Sequence, residues 1–355
     1  MYTLLFVYSI QKVRMGFTGP TEYDFRRIGI NLTLANGEQE KYNTFIEGPR
    51  TAYMYDVDSR NLKIKDNMIV ADSFITINNV RYTVGSNISR GTFGILSAVT
   101  TGVTPYALKI QHITDLSGFT NTAVNALNEV LCQHIVSQHT YNGTPLAPKI
   151  IVSGVDSKYQ YTVMERLPTS LGRYLSPPDI NRSLDFLTHL ADCLSYLQKT
   201  LKFTHGDLKY NNIMFDTTGK MRLIDFGQTR IEVPVVIECS TYTTKFNPCR
   251  DLIQFSAFQL SAYKNSPLDP LLKQIISCGS NYVFPSEYSN PTNTELHKYT
   301  MALDTLDCSG CVGTPEGVKR LISKGAPSCF GSCLWGGKRT RRKPRRSRKN
   351  NRRTK

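Results

Sequence analysis

The chain has 355 residues, 40% of them hydrophobic, which is enough to pack one large globular domain or two. Its formal net charge of +15 is misleading: 12 Lys and Arg and no acid fall within Lys338–Lys355, so the other 337 residues net only +3. Nine irregularly spaced cysteines without a secretory signal point to reduced thiols in a cytoplasmic or nuclear setting, not a disulfide framework. The apolar opening, Met1 to Ile10, lacks a basic flank and is far shorter than the roughly 20 residues of a membrane span. It reads as a buried strand, and with no other long apolar run the composition argues against membrane insertion.

Residues 1–74 alternate in places, as in Gly29-Ile30-Asn31-Leu32-Thr33-Leu34 before an Asn36-Gly37 turn, and read as a β-rich N-terminal extension. No catalytic pattern stands out there. From Phe74, Ile75–Ile77 and Tyr82–Val84 predict strands ahead of Ile88-Ser89-Arg90-Gly91-Thr92-Phe93-Gly94-Ile95-Leu96, where two glycines three apart suit a hairpin. The next strand, Pro105 to Ile110, carries Lys109 at its apolar centre, a charge that is costly to bury without a partner. Thr122 to Gln138 predicts a helix with an apolar stripe of Ala126, Leu127, Val130, Leu131, Ile135 and Val136, and Glu129 is its only acid. Lys149–Val152 and Tyr159–Met164 read as two further strands. Pro177-Pro178 breaks the chain before a long amphipathic helix, Ile180 to Leu201.

That helix leads into His205-Gly206-Asp207-Leu208-Lys209-Tyr210-Asn211-Asn212 and then Leu223-Ile224-Asp225-Phe226-Gly227, with an apolar, strand-like run between them. Either His-Gly-Asp or Asp-Phe-Gly alone is an ordinary turn tripeptide. In this order they gather the groups that phosphoryl transfer needs. Asp207 can accept a proton from an attacking hydroxyl, Lys209 can neutralise charge on the transferred group, and Asn212 and Asp225 can ligate Mg²⁺ through oxygen.

The spacing of Asp207, Asn212 and Asp225 resembles the catalytic and metal-binding loops of the eukaryotic-type protein kinase superfamily. The resemblance implies an α+β, two-lobed protein-kinase-like fold over residues 75–325, with a small β-rich N-lobe and a helical C-lobe. It implies ATP bound with Mg²⁺, or Mn²⁺ in its place. Ile88 to Leu96 becomes the glycine-rich loop, with Ser89 in place of its first glycine; Ile88, Ser89, Gly91, Thr92, Phe93, Gly94 and Leu96 would cover the nucleotide. Ala107 would line the adenine pocket and Lys109, paired with Glu129, would anchor the phosphates. Met164 becomes the gatekeeper beside the adenine, with backbone groups of Glu165 and Leu167 bonding its edge.

Two departures bear on the acceptor. Gly206 stands where many protein kinases have an arginine that pairs with an activation-loop phosphate, which argues against switching by such phosphorylation. His-Gly-Asp is also the spelling in small-molecule kinases of the same fold, such as aminoglycoside and choline kinases, whereas Asp207-Leu208-Lys209 resembles serine/threonine kinases. No Ala-Pro-Glu follows Gly227, and only 23 residues separate it from Asp251, in what resembles the helix that buttresses the catalytic loop. Leu268–Ser277 and Pro315–Ser323 predict further helices.

Residues 326–355 form a Cys-containing, basic tail. Cys308, Cys311, Cys329 and Cys333 have spacings that suit a thiolate Zn²⁺ site, although unpaired thiols near a chain end are the favoured reading. Lys338–Lys355 is too charged to fold alone and suits nucleic acid or acidic protein as a partner, or a nuclear address. A compact domain with a basic end resembles kinases encoded by large DNA viruses. The sequence thus favours an ATP-dependent serine/threonine protein kinase acting on a protein hydroxyl, ahead of a small-molecule kinase and of an inactive kinase-fold scaffold.

Overall fold

Strands dominate the first part of the structure because apolar and polar side chains alternate there: Phe74–Ile77 and the start of Gly94–Thr101 bury every second residue. The computed structural model describes residues 55–66, 68–90, 94–112, 122–156, 158–233, 236–239, 245–262, 268–276 and 312–324. Hence the expected N-terminal strands before Tyr55, the Cys308, Cys311, Cys329 and Cys333 cluster, and the basic tail lie outside the described residues.

The first strands are β1 (Tyr55–Asp58), β2 (Ile64–Lys65), β3 (Met68–Ile69), β4 (Phe74–Ile77), β5 (Val80–Arg90), β6 (Gly94–Thr101) and β7 (Thr104–His112). Helix α1 (Thr122–Gln138) follows, with the boundaries expected from its apolar stripe. Next come β8 (Thr140–Tyr141), β9 (Thr144–Pro145), β10 (Ile150–Val155) and β11 (Tyr159–Glu165). Seven of these strands close into a barrel in the order β1-β10-β11-β7-β6-β5-β4. All neighbours are antiparallel except β1, which runs parallel to β10 and antiparallel to β4. The barrel therefore takes in residues upstream of Phe74, where the sequence places the start of the domain. Its interior is filled by side chains including Ile75, Ile77, Val84, Leu108, Ile110 and Val163.

Gly154 lets β1 close the barrel. A Cβ there would lie 2.6 Å from the Tyr55 carbonyl oxygen and 2.4 Å from Val57 Cγ2. Gly154→Ala is therefore expected to push β1 off β10 and to lower stability by roughly 1–3 kcal/mol, read as a fall in urea midpoint. An unchanged midpoint would show that β1 is not held there in solution.

The second half is mainly helical. It comprises β12 (Thr169–Ser170), α2 (Leu171–Tyr174), α3 (Ile180–Leu201), a 3₁₀ turn (Tyr210–Asn212), β13 (Ile213–Phe215) and β14 (Met221–Leu223). After these come β15 (Arg230–Ile231), β16 (Ile237–Glu238), α4 (Arg250–Ala262), α5 (Asp269–Ile276) and α6 (Pro315–Ser323). Asp179 caps the N-terminus of α3 by accepting the Arg182 N–H, and Lys202 ends it in the left-handed conformation. The buried face of α3, with Phe186, Leu187, Leu190, Leu194 and Leu197, is the centre of a second hydrophobic core. Helix α1 spans the two cores: it packs on β7, β10 and β11, while its Cys132, Ile135 and Val136 join the helical core. Among the described residues no helix is long and apolar enough to cross a membrane.

Cys132, Cys193 and Cys239 are buried free thiols. Cys249 is disulfide-bonded, against the expectation of reduced thiols throughout. The irregular spacing gave no sign of this pairing, because folding and not sequence proximity brings such cysteines together.

Helix α6 is fastened to α3 by Glu316, which accepts from Ser195 Oγ at 2.7 Å and pairs with Lys199 at 2.8 Å. The Lys199 and Ser195 hydrogen bonds pull its carboxyl down to about 2 from the ordinary 4.5. A depressed carboxyl stabilises the fold above its unfolded value and loses that effect as pH falls through the folded one. Thermal stability should thus decline between about pH 4.5 and 2, and Glu316→Gln should flatten part of that decline. The side chain is 48% exposed, so solvent screening keeps the effect small.

Candidate functional site

Lys109 comes from the middle of β7, where strand alternation turns it away from the barrel core formed by its neighbours Leu108 and Ile110. There it meets Glu129 of α1 in an ion pair and Asp225 Oδ1 at 3.2 Å. Burial alone would lower the Lys109 ammonium, but the Asp225 and Glu129 carboxylates outweigh it and hold the pKa above its ordinary value. Glu129 is 6% exposed, so the pair is an interior one on its side. Its second oxygen accepts from Gln111 Nε2 at 2.5 Å. Sequence reasoning missed Gln111. The available signal was its position two residues after Lys109, which puts both on one face of β7.

The strands β13 and β14 form a hairpin that spaces the other carboxylates. The hairpin pairs Ile213 with Leu223, and Ile224 N–H donates to Asn212 O at 3.0 Å, so the residues flanking each end are brought side by side. Asp207 Oδ2 accepts from Lys209 Nζ at 2.7 Å and from Asn212 Nδ2 at 3.1 Å; the same Nδ2 also donates to the Asp207 carbonyl at 2.8 Å. Asp225 adopts φ +64°, a left-handed conformation that a non-glycine residue reaches only at some strain. Its carboxyl is held below the usual range by Lys109 first, with burial opposing and Lys209 and His205 adding to the effect. The backbone joins the two halves of the site, through the Ile224 N–H that donates to the Asn212 carbonyl at 3.0 Å.

The turn that carries Asp207 is pinned from below. Asp251 of α4, fully buried, accepts the His205 N–H at 2.9 Å and the Gly206 N–H at 3.0 Å. Burial pushes its carboxyl up, opposed by His205 and by those two N–H groups. Gly206 has φ +80°, which explains glycine at this place on backbone grounds alone. His205 is fully buried and its Nε2 lies 3.1 Å from the Ile224 carbonyl, tying the turn to the residue before Asp225. Asp251→Ala would leave two buried N–H groups without partners, so a loss of about 2–4 kcal/mol in chemical denaturation is expected. A loss under about 0.5 kcal/mol would show that water replaces the carboxylate.

The residues expected over the nucleotide are partly placed. Gly91, Thr92 and Phe93 lie outside the described residues. Ser89 pairs with Leu96 across β5 and β6, with Ile88 exposed beside them. Gly94 has a packing reason of its own: a Cβ there would sit 2.3 Å from the Ile110 carbonyl oxygen. Ala107 and Met164 are cross-strand partners on β7 and β11, both buried, and Leu167 is buried two residues after β11 ends. The Glu165 N–H is taken by the Lys149 carbonyl at 2.9 Å and so is not free for a ligand.

The donor set can be tested against a hard cation. Asn212 spends its amide N–H on Asp207, which leaves its side-chain oxygen as an acceptor, and Asp225 uses one oxygen for Lys109 and is 45% exposed. Two oxygen donors on adjoining turns fit Mg²⁺ and offer no soft ligand. Among the described residues no cluster of three or more His, Cys, Asp or Glu is placed to hold a metal ion.

No protein-family model matches the chain. Over 92 residues, 24% of the chain, it is 34% identical to the serine/threonine-protein kinase CBK1 of Pneumocystis carinii. The matched stretch is 17% of that protein's length, so the similarity to a kinase is partial.

Proposed function

We propose that the protein is an ATP-dependent serine/threonine protein kinase, its barrel and helical part being the two lobes of a protein-kinase-like fold. The observation that carries this reading is the placement of two linked groups side by side: Lys109 in contact with Glu129 and Asp225, and Asp207 in contact with Lys209 and Asn212, the two joined through the Ile224 N–H to Asn212 carbonyl bond. The partial similarity to a serine/threonine kinase supports it. In this reading Lys109 holds the ATP phosphates, fixed by Glu129. Lys209 and Asn212 occupy Asp207 Oδ2, which leaves Oδ1 for the acceptor hydroxyl. The hydroxyl oxygen bonds to the γ-phosphorus as the bond from that phosphorus to the leaving ADP oxygen breaks, and the hydroxyl proton passes to Asp207. Mg²⁺ held by Asn212 and Asp225 would supply neutralising charge on the phosphates.

A small-molecule acceptor is the second reading. It is favoured by the short stretch from Gly227 to Asp251, only 23 residues between them, which leaves little chain for a peptide platform. Purified protein with labelled ATP and Mg²⁺ decides between the two when offered generic basic and acidic proteins, then amino alcohols and aminoglycosides. Label in protein is the expected result. Label in a small molecule alone would replace this reading with the second, and label in neither would overturn both.

A further inference from the structure

The segment after Asp225-Phe226-Gly227 contains a buried cation that the chemistry above does not use. Arg230, 11% exposed at its side chain, donates from Nε to Glu232 Oε1 at 2.7 Å and pairs through Nη1 with Glu238, its cross-strand partner in the β15–β16 hairpin. Its backbone exchanges two 2.9 Å hydrogen bonds with Thr204, the residue before His205, and the adjacent Thr229 hydroxyl donates to the His205 carbonyl at 3.1 Å. The far side of the hairpin reaches α1. Asn128 Nδ2, next to Glu129, donates to the Glu238 carbonyl at 2.6 Å, and Cys239 Sγ lies 3.4 Å from Cys132 Sγ one helical turn further on.

We propose that Arg230, clasped between Glu232 and Glu238, is a positioning residue that holds the Asp207 turn and the Glu129 helix in register with each other, and that it does so in the unphosphorylated chain. One guanidinium facing two carboxylates already leaves this clasp one negative charge in excess. A phosphate added beside it would meet like charge and not an open cation. The planar fork of arginine suits two carboxylates on different strands, whereas a lysine ammonium offers a single point charge. The effect on turnover rests on the kinase reading; the positioning itself does not.

The test uses the full chain after phosphatase treatment, with intact mass confirming that no phosphate remains, and compares wild type with Arg230→Met, Arg230→Lys and Glu238→Gln. Hydrogen exchange over residues 201–208 should be the same in treated and untreated wild type. It should rise by about fivefold or more in Arg230→Met and Glu238→Gln, with Arg230→Lys between. In the transfer assay kcat should fall roughly tenfold in those two variants while KM for ATP rises by less, because Arg230 touches none of the nucleotide anchors and reaches Lys109 only through the Glu129 helix. Unchanged exchange in Glu238→Gln, which keeps the packing even if Arg230→Met does not fold, would overturn the proposal. So would a rise in exchange when wild type is dephosphorylated. If untreated wild type transfers no label to any acceptor while exchange behaves as expected, the kinase reading fails and the clasp stands.

Discussion

Asp207→Asn is expected to lower phosphoryl transfer by roughly 10²–10⁴-fold while leaving nucleotide affinity within about threefold. The reason lies in how the carboxylate is held. Its Oδ2 takes hydrogen bonds from Lys209 and Asn212, and an asparagine oxygen can accept both, so the turn should keep its shape. An amide cannot take up the hydroxyl proton. The nucleotide contacts assigned to Lys109 and Asp225 involve neither Asp207 oxygen, so binding of a fluorescent ATP analogue should be little changed. Single-turnover transfer and analogue titration on the same sample separate the two quantities. Affinity and transfer falling by the same factor would show that Asp207 contacts the nucleotide and is not the proton acceptor.

Much of this site was legible in the sequence because its parts come from short, strongly patterned elements. The α1 boundaries followed from the apolar stripe around Glu129, and α3 from the leucines between Leu184 and Leu197 with proline before them. The cost of a lysine in an apolar strand called for a partner to Lys109, and the resemblance to the kinase lysine–glutamate pair pointed to Glu129, which the structure places against it. What stayed hidden depends on contacts distant in sequence. Gly94 and Gly154 are glycine because a second strand's carbonyl approaches too closely for a Cβ, which no local pattern encodes. The joining of β1 to β10 pairs Tyr55 with Gly154 across about a hundred residues, and four residues of strand carry too little alternation to announce it. Arg230 was passed over because nothing in the local pattern shows that Glu232, Glu238 and Thr204 gather around it.

Lys109→Met should have the second large effect, and on two quantities at once. Methionine fills the space of the lysine stem, so packing along β7 is retained, but the Glu129 carboxylate is left in a 6% exposed position with Gln111 as its remaining hydrogen-bond donor. Stranding one member of such a pair typically costs about 3–5 kcal/mol; the amide of Gln111 and the exposed rim around Asp225 should hold the loss to roughly 2–3 kcal/mol. Transfer should fall by about 10²-fold or more because the phosphates lose their anchor. The double variant Lys109→Met with Glu129→Gln removes the stranded charge. It should recover most of the stability and none of the transfer, since neutralising Glu129 repairs the interior but restores no cation for the phosphates. Denaturant midpoints and single-turnover rates on wild type, both singles and the double measure this directly. If the double variant is no more stable than Lys109→Met, Glu129 is not charged against Lys109 in the folded protein. If it regains transfer, Lys109 is not the phosphate anchor.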